Sequence, residues 1–567
     1  VSMLRKSGQE PLDLFAALGF HSIRYPVLWE RTAPDHSTGL DWTFADSRLP
    51  RLRELGINPI VGLVHHGSGP KYASIETARF APGLADFARR VCQRFPWVDS
   101  YTPVNEPLTT ARFSGLYGLW HPHGQENRTF VRILLNECQA TILAMQAIRN
   151  INPNAKLIQT DDLGKIYSTD ALAYEASFQN ERRWLAWDLL CGKVDQDHPL
   201  EEYLLRSGVS ESELGWMRDN RCPPDVIGIN HYPTSDRYLD DNIGRYRDLP
   251  VTSNGRDIYV DVEAIRVRTE PPGGFEERLI EAWNRYGLPL AITESHLGCT
   301  REEQVRWFAD SWTAAGAAQK QGADVRAVTA WSLLGAYNWN TLVTRDDCYY
   351  EPGVFDVRSS PPRATAIAAL LADLANGATP DHPALEQPGW WLRPDRLFDS
   401  HRQDAPFPNI AVPKRGLTSK PVLVLGSSGS LGSEFVRACK ARGLPHIALT
   451  HQDLDITNRK ELSRRIRQLQ PWAVVNAAGY VPSENPARSP GRCAKLLTSS
   501  PEFLATLCNR YGASLLCFSS DSVFDSTKNG AYVESDAVSP VDWYGRCKAA
   551  MEAGVLEKMP EALIIRS

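Results

Sequence analysis

Two glutamates that end apolar runs are the residues best placed to do chemistry in this sequence. Glu294 closes Pro289-Leu290-Ala291-Ile292-Thr293-Glu294, and Glu106 closes Tyr101-Thr102-Pro103-Val104-Asn105-Glu106. Each run reads as a buried strand with a carboxylate at its C-terminal tip, where α/β barrels place reactive groups because the loops there vary without disturbing packed strands. Two carboxylates so placed point to glycosidic bond chemistry. A different chemistry is signalled at Gly426-x-x-Gly429-x-x-Gly432, which follows the apolar strand Pro421-Val422-Leu423-Val424-Leu425 and opens a helix. Glycines in that context permit a tight turn and let a pyrophosphate approach the helix N-terminus, where free amides and the dipole favour anions.

The elements that must carry these residues alternate strictly. Helical spacing from Glu10 to Leu18 ends at Gly19, and strands are predicted at 21–27, 59–64, 101–106, 156–160, 226–230, 289–294 and 327–333. Helices are predicted between them at 46–55, 82–94, 129–150, 171–192, 274–286 and 301–321, with another at 362–375. This is the rhythm of a (β/α)8 TIM barrel over residues 1–375. Seven strands are counted where a closed barrel takes eight, so the first strand is expected before Val1. Residues 376–419 are interrupted by Pro380, Pro383, Pro388, Pro394, Pro406, Pro408 and Pro413. They read as a linker or an extended wrap with Trp390 and Trp391 as docking points. From 420 to 567 strands at 421–425, 446–450, 473–476 and 514–519 alternate with helices, the pattern of a Rossmann-type doubly wound parallel sheet.

Composition narrows the classes. A chain of 567 residues with 43% hydrophobic and 23% charged residues and a net charge of -5 is an ordinary globular protein, with nothing that suggests nucleic acid or an anionic membrane as partner. The eleven cysteines have neither CxxC pairs nor the spacing of a disulfide framework, so free thiols in a reducing compartment are expected. No apolar run approaches the roughly 18 residues of a membrane helix. A cytoplasmic location is the expectation.

Residues 9–375 resemble the family 1 glycoside hydrolases. Asn105-Glu106-Pro107 is similar to the acid/base motif and Ile292-Thr293-Glu294 to the nucleophile motif. Arg24, His66, Asn230, Tyr232 and Trp331 fall where that family keeps its arginine and sugar-contacting residues. The resemblance implies a retaining mechanism with Glu294 as nucleophile, held ionised by Arg24 and Tyr232, and Glu106 as acid and then base, the carboxyls roughly 5 to 5.5 Å apart. It implies that Asn105 bonds the sugar 2-hydroxyl and that Trp331 forms a platform under the ring. The departures are specific. Ser295-His296 stands where the family has Asn-Gly, Gly67 replaces the tryptophan of its His-Trp pair, Asn338 replaces the glutamate that grips distal hydroxyls, and the first strand's glutamine is absent. A catalytically inactive, sugar-binding barrel is therefore the alternative expectation.

Residues 420–567 resemble the extended short-chain reductases, and the dTDP-4-dehydrorhamnose reductases in particular. The similarity is carried by the glycine turn (Gly426, Gly429, Leu431, Gly432), by Asp455 and Ile456 in Leu454-Asp455-Ile456-Thr457-Asn458, and by Ala477 and Ala478 after Asn476. Ser520 in Ser519-Ser520-Asp521 and the pair Tyr544-x-x-x-Lys548 complete it. The resemblance implies Tyr544 as proton donor, its pKa lowered by Lys548, and Ser520 holding the substrate oxygen. It implies NADP or NAD for this domain and no cofactor or metal for the barrel. No acidic residue ends the strand at Thr450 and no arginine is there to choose between the two nicotinamides. Ser522 replaces a family tyrosine, and the chain stops where the family goes on into a substrate lobe. Partners are expected to be a sugar or glycoside and a nucleotide-activated sugar, with the oligomeric state left open.

Overall fold

The computed structural model describes residues 11–35, 39–271, 273–398, 420–479, 491 and 494–567. The stretch 399–419, with Pro406, Pro408 and Pro413, lies outside the described residues, as does Cys493. The chain divides into two compact units, one of residues 1–380 and 389–410, the other of 381–388 and 411–567.

The first unit is built on seven parallel strands in sequence order: β1 (Ser22–Pro26), β2 (Asn58–His65), β3 (Ser100–Asn105), β4 (Lys156–Asp162), β5 (Val226–Asn230), β6 (Leu290–Ser295) and β7 (Val325–Ala330). Consecutive strands pair directly. All six residues of β6 are buried, as expected of a parallel strand covered on both faces, which is why its sequence is continuously apolar up to Thr293. Among the described residues β1 and β7 each pair on one side only, and Arg326 and Ala327 of β7 are exposed.

Amphipathic helices cover the strands. Helix Phe80–Arg94 buries Phe80, Leu84, Phe87 and Val91, one stripe at the helical repeat. Helix Gly274–Tyr286 stops at Gly287, whose φ of 63° provides the left-handed residue that ends a helix cleanly. The helical stretch predicted over 171–192 is broken into Ala173–Arg182 and Leu185–Leu190. The irregular segment after β5 instead contributes to a second sheet, ordered Ile166–Ser168, Arg237–Asp240, Ile258–Glu263, Val251–Ser253. Its strands are short and mixed in polarity, so neither period stands out in the sequence.

The segment after the last barrel helix (Ala366–Ala375) returns to the first unit at 389–398. The Trp390 amide donates to Glu303 Oε2 at 3.0 Å, Trp391 Nε1 donates to Asp310 Oδ2 at 3.0 Å, and the Arg266 guanidinium lies 4.4 Å from the Trp390 ring centroid.

The second unit has five parallel strands, β8 (Val422–Leu425), β9 (His446–Leu449), β10 (Ala473–Asn476), β11 (Ser514–Ser519) and β12 (Leu563–Arg566), in the order β9-β8-β10-β11-β12. The strand order reverses beside β8, so the ends of β8 and β10 flank the switch point, the place where doubly wound sheets bind ligands.

Candidate functional site

The end of β3 sets Glu106. Glu106 follows Asn105 with φ of 47° and precedes Pro107, the first residue of the short helix Pro107–Ala111. Proline disfavours the right-handed helical region for the residue before it, and the chain turns sharply there. The Glu106 amide donates to the Thr160 carbonyl of β4 at 3.2 Å. Its side chain is buried at 4% exposure. Asn230 Nδ2 donates to its Oε1, and the orientation of that amide is fixed by Thr293 Oγ1, which donates to Asn230 Oδ1 at 2.6 Å. Burial pushes the Glu106 pKa well up, the Glu294 charge adds to it, Asp162 and Asp161 contribute, and the Asn230 bond opposes them.

Glu294 sits at the tip of β6 in the opposite electrostatic setting. Arg24 Nη1 donates to its Oε1 at 2.9 Å, and the Tyr232 hydroxyl donates to its Oε2 at 2.7 Å. Arg24 also donates from Nη1 to the Thr293 carbonyl at 3.0 Å and from Nη2 to Asn105 Oδ1. Tyr232 keeps its proton, because burial first and the charges of Glu294 and Glu106 next raise its pKa. Glu294 thus has a donor on each oxygen, whereas lack of solvent and the neighbouring carboxylate favour the protonated form of Glu106.

Asn105 is committed within the wall. Its Oδ1 also accepts from Thr160 Oγ1 at 2.8 Å, and its Nδ2 lies 3.3 Å from His66 Nε2. An amide nitrogen has two hydrogens, so one donor of Asn105 is left for a ligand. His66 is kept neutral, its pKa pushed down to about 3 by burial and then by Arg24. Its Nδ1 faces Thr110 Oγ1 at 3.1 Å, and Glu106 Oε2 lies 3.5 Å from its Nε2. The ring belongs to an aromatic series: His66 to Trp120 at 5.1 Å, His66 to Trp339 at 5.9 Å, Trp339 to Trp331 at 5.8 Å and Trp331 to His296 at 5.1 Å between centroids. The structure therefore brings Arg24, His66, Asn105, Glu106, Asn230, Tyr232, Glu294 and Trp331 into one neighbourhood.

The departures noted in the sequence have structural counterparts. His296 Nε2 pairs with Glu351, both buried, so the residue two places after Glu294 fastens the loop that follows Trp331. Asn338 has φ of 59° and spends its side chain on its own loop, accepting from the amides of Asp347 at 3.0 Å and Tyr349 at 3.2 Å and donating to Asp346 Oδ1 at 2.8 Å. Beside Tyr232 is a cavity of about 470 Å³ bordered by Glu263, Arg266, Leu297, Cys299 and Trp390.

Sequence reasoning missed three polar residues that support the site. Asp161 accepts from the amides of Leu108 at 2.8 Å and Thr109 at 3.3 Å, and so caps the helix that begins beside Glu106. Burial raises its pKa to about 7 against those bonds and Arg112. Thr160 and Asp162 complete the same strand tip, Asp162 Oδ1 accepting from Ser235 Oγ at 2.6 Å. The signal was available: β4 runs through Asp162 rather than stopping at Thr160, and three polar residues at the end of a buried barrel strand mark the reactive face.

In the second unit the glycine turn is sterically enforced. Gly426 has φ of 73°, and a Cβ there would lie 2.7 Å from the Ala478 amide nitrogen. A Cβ at Gly432 would lie 2.1 Å from the Gly426 carbonyl, whereas Gly429 opens to free space apart from that oxygen at 3.5 Å. Leu431, in the first turn of helix Ser430–Ala441, is 45% exposed, and Ile456 is buried. Asp455 accepts from the Thr457 amide at 2.9 Å. Asn476 Oδ1 and Ser519 Oγ are buried without a hydrogen-bond partner among the described residues.

Tyr544 and Lys548 share one face of helix Trp543–Lys558, with Lys548 Nζ 5.7 Å from the Tyr544 ring centroid. The expectation that Lys548 depresses the Tyr544 pKa is corrected. Burial, then Asp521 and Asp542, raise it, while Lys548 donates to the Phe518 carbonyl at 2.8 Å and burial lowers its own pKa. Ser520 Oγ donates to Asp521 Oδ1 at 2.9 Å and accepts from the Ser522 amide at 3.2 Å. Among the described residues no hydrogen bond joins it to Tyr544.

A family model for glycosyl hydrolase family 1 matches residues 6–345, more than half of the chain, and one for the RmlD substrate binding domain matches residues 420–567. Among solved structures the chain is similar to a family 1 β-glucosidase from Thermotoga maritima, and to the β-glucosidase from that organism in complex with deoxynojirimycin. Each has 18% identity and a TM-score of 0.52, over 65% of this chain and 86% of that one. At that identity the likeness is one of fold. A dTDP-4-keto-6-deoxy-D-glucose reductase from Streptomyces niveus is 34% identical over 141 residues, 24% of this chain and 48% of its own. A dTDP-4-dehydrorhamnose reductase from Burkholderia thailandensis is 33% identical over 147 residues, 26% of this chain and 49% of its own. The chain spans about half the length of these curated relatives. Among the described residues no helix is long and apolar enough to cross a membrane, and no group of side chains is arranged to hold a metal ion.

Proposed function

Since the chain belongs to glycosyl hydrolase family 1, we propose that its barrel is a retaining O-glycosidase acting in carbohydrate metabolism, fused to a nucleotide-sugar reductase-like domain. The observation that carries this reading is the opposed setting of the two glutamates: Glu294 bonded to Arg24 and Tyr232, Glu106 raised by burial and by Glu294. Glu294 Oε attacks the anomeric carbon while Glu106 gives its proton to the departing oxygen, so the glycosidic bond breaks as a glycosyl ester forms. With Glu294 esterified, its charge no longer raises Glu106. The ionised Glu106 then takes a proton from water, whose oxygen attacks the anomeric carbon and releases Glu294. The test is hydrolysis of an aryl β-glucoside by wild type and Glu294→Ala, where indistinguishable traces would sink the assignment.

Asn338, spent on its own loop, and Gly67 favour a second reading, a barrel that binds a sugar without cleaving it. Binding with no Glu294-dependent turnover would select it.

For residues 420–567, with 376–419 as the joining segment and 1–375 as the barrel, we propose binding of NADP or NAD. The cradle made by Gly426, Gly429 and Gly432 fits a pyrophosphate, Ala477 and Ala478 line its far wall, and the unpartnered Asn476 Oδ1 offers an acceptor beside it. When bound, a reduced nicotinamide supplies hydride. Tyr544 gives a proton to the carbonyl oxygen of a nucleotide-activated sugar, and Lys548 turns from the Phe518 carbonyl to hold the phenolate that results. Titration of NADPH and NADH fluorescence with the full chain tests this, and Gly426→Val should abolish any saturable signal. A cytoplasmic location accords with the free thiols.

A further inference from the structure

We propose that Glu30 is a sugar-binding carboxylate that accepts hydroxyls remote from the anomeric carbon. The inference rests on the barrel taking a sugar at Glu106 and Glu294. Glu30 lies in the one-turn helix Trp29–Thr32 after β1. Both carboxylate oxygens are shielded from solvent, and neither closes a hydrogen bond among the described residues. Burial raises its pKa, with its own amide and that of Gly69 offsetting only part. A carboxyl in that condition costs free energy until a donor reaches it.

Its position shows which donor. A Cβ added to Gly67 would lie 1.6 Å from Glu30 Oε1 and 2.7 Å from its Cδ, so the carboxylate occupies the space a side chain at 67 would fill. Gly67 adjoins His66, whose Nε2 faces Asn105 and Glu106 at 3.3 and 3.5 Å. The series Glu106, His66, Gly67, Glu30 leads away from the reacting carbon along one wall, and the carboxylate ends it. Asn338 cannot serve there, because its amide is bonded to Asp346, Asp347 and Tyr349. Glu30 meets only backbone amides, its own and that of Gly69, and loses no side-chain partner when it turns toward a ligand. Vicinal sugar hydroxyls match a carboxylate with two free oxygens, and such charge-assisted bonds are the strong ones.

The experiment uses the full chain and deoxynojirimycin in calorimetric titration, with thermal unfolding as a parallel readout. Glu30→Ala is expected to raise Kd on the order of 10–100-fold without lowering Tm, since burial of the carboxylate outweighs what the Glu30 and Gly69 amides return. Gly67→Ala keeps the charge but displaces it, and is expected to raise Kd similarly. The double variant should bind no more weakly than the weaker of the two. Unchanged Kd in either single variant, or a fall in Tm with Kd unchanged, overturns the proposal, as does a wild type that binds no iminosugar. Hydrolysis compared between wild type and Glu294→Ala is read separately. A chain that does not hydrolyse but whose binding depends on Glu30 removes the glycosidase and keeps this inference, and a hydrolysing chain indifferent to Glu30 does the reverse.

Discussion

Asp161→Asn should cross the wild type in stability as pH rises. Asp161 is fully buried, accepts from Leu108 N, Thr109 N and Thr109 Oγ1, and has its pKa raised from the ordinary 3.8 to about 7. A carboxyl whose folded pKa lies above its unfolded value contributes stability that is complete below the unfolded value and is lost as pH rises through the folded one. The window is therefore about pH 4 to 7, and at about 1.4 kcal/mol per pH unit its upper bound is about 4 kcal/mol. Asparagine does not titrate, so the variant lacks this loss. Its amide oxygen can keep the two bonds from Thr109, but the nitrogen faces the Leu108 amide, at a cost of about 1–3 kcal/mol. At pH 5 the variant should be the less stable of the two, and by pH 8 the difference should vanish or reverse. Urea denaturation of both proteins from pH 4.5 to 8 measures it. A stability difference independent of pH would refute the account of Asp161. In the same variant the basic limb of the glycosidase pH profile should move down, because Asp161 is one of the charges that raise Glu106.

Three further outcomes are expected. Arg24→Leu removes the charged donor from Glu294, and kcat/KM for an aryl glucoside should fall at least 10–100-fold, the equivalent of about 1.5–3 kcal/mol for one bond to a charged group; unchanged kinetics would exclude Arg24 from the site. Arg278 is wholly buried against Asp236 at 3.4 Å and Glu277 at 2.6 Å, so Arg278→Met, which strands the buried Asp236, should destabilise the barrel by about 3–5 kcal/mol in urea titration. Lys548→Met should abolish nicotinamide-dependent reduction while leaving glucoside hydrolysis untouched; loss of both activities would show that the residue supports the fold rather than the dyad.

Both sheets were legible because parallel strands covered on two faces need continuous apolar runs, and Leu290–Ile292 or Val422–Leu425 can be little else. The two glutamates were legible for the same reason, as carboxylates abruptly ending such runs. What escaped was decided by contacts far apart in the chain. Nothing local to Glu30 announces that its carboxylate meets Gly67, and nothing near His296 points to Glu351, 55 residues on. Asp161 was passed over because a strand tip was drawn two residues too short. The small sheet around Arg237–Asp240 and Ile258–Glu263 carries too few residues per strand for alternation to show. The Tyr544–Lys548 pair was read correctly as a shared helix face, but the electrostatic partner of each depends on Phe518, Asp521 and Asp542, which only folding supplies.

Arg24 has a mechanical consequence. One nitrogen of its guanidinium holds Glu294 and the Thr293 carbonyl, and the other holds Asn105, the residue before Glu106. These attachments lie on β6 and β3, on different walls, and the group between them is flat and rigid. The separation of Glu294 from Asn105, and so from Glu106 beside it, is thus gauged by the width of a single planar ion. Movements of the surrounding loops, and the irregular register between β5, β6 and β7, need not reach the reacting pair. Lysine carries the same charge but has no second arm, so Arg24→Lys should leave the nucleophile paired and the gap between the walls unset.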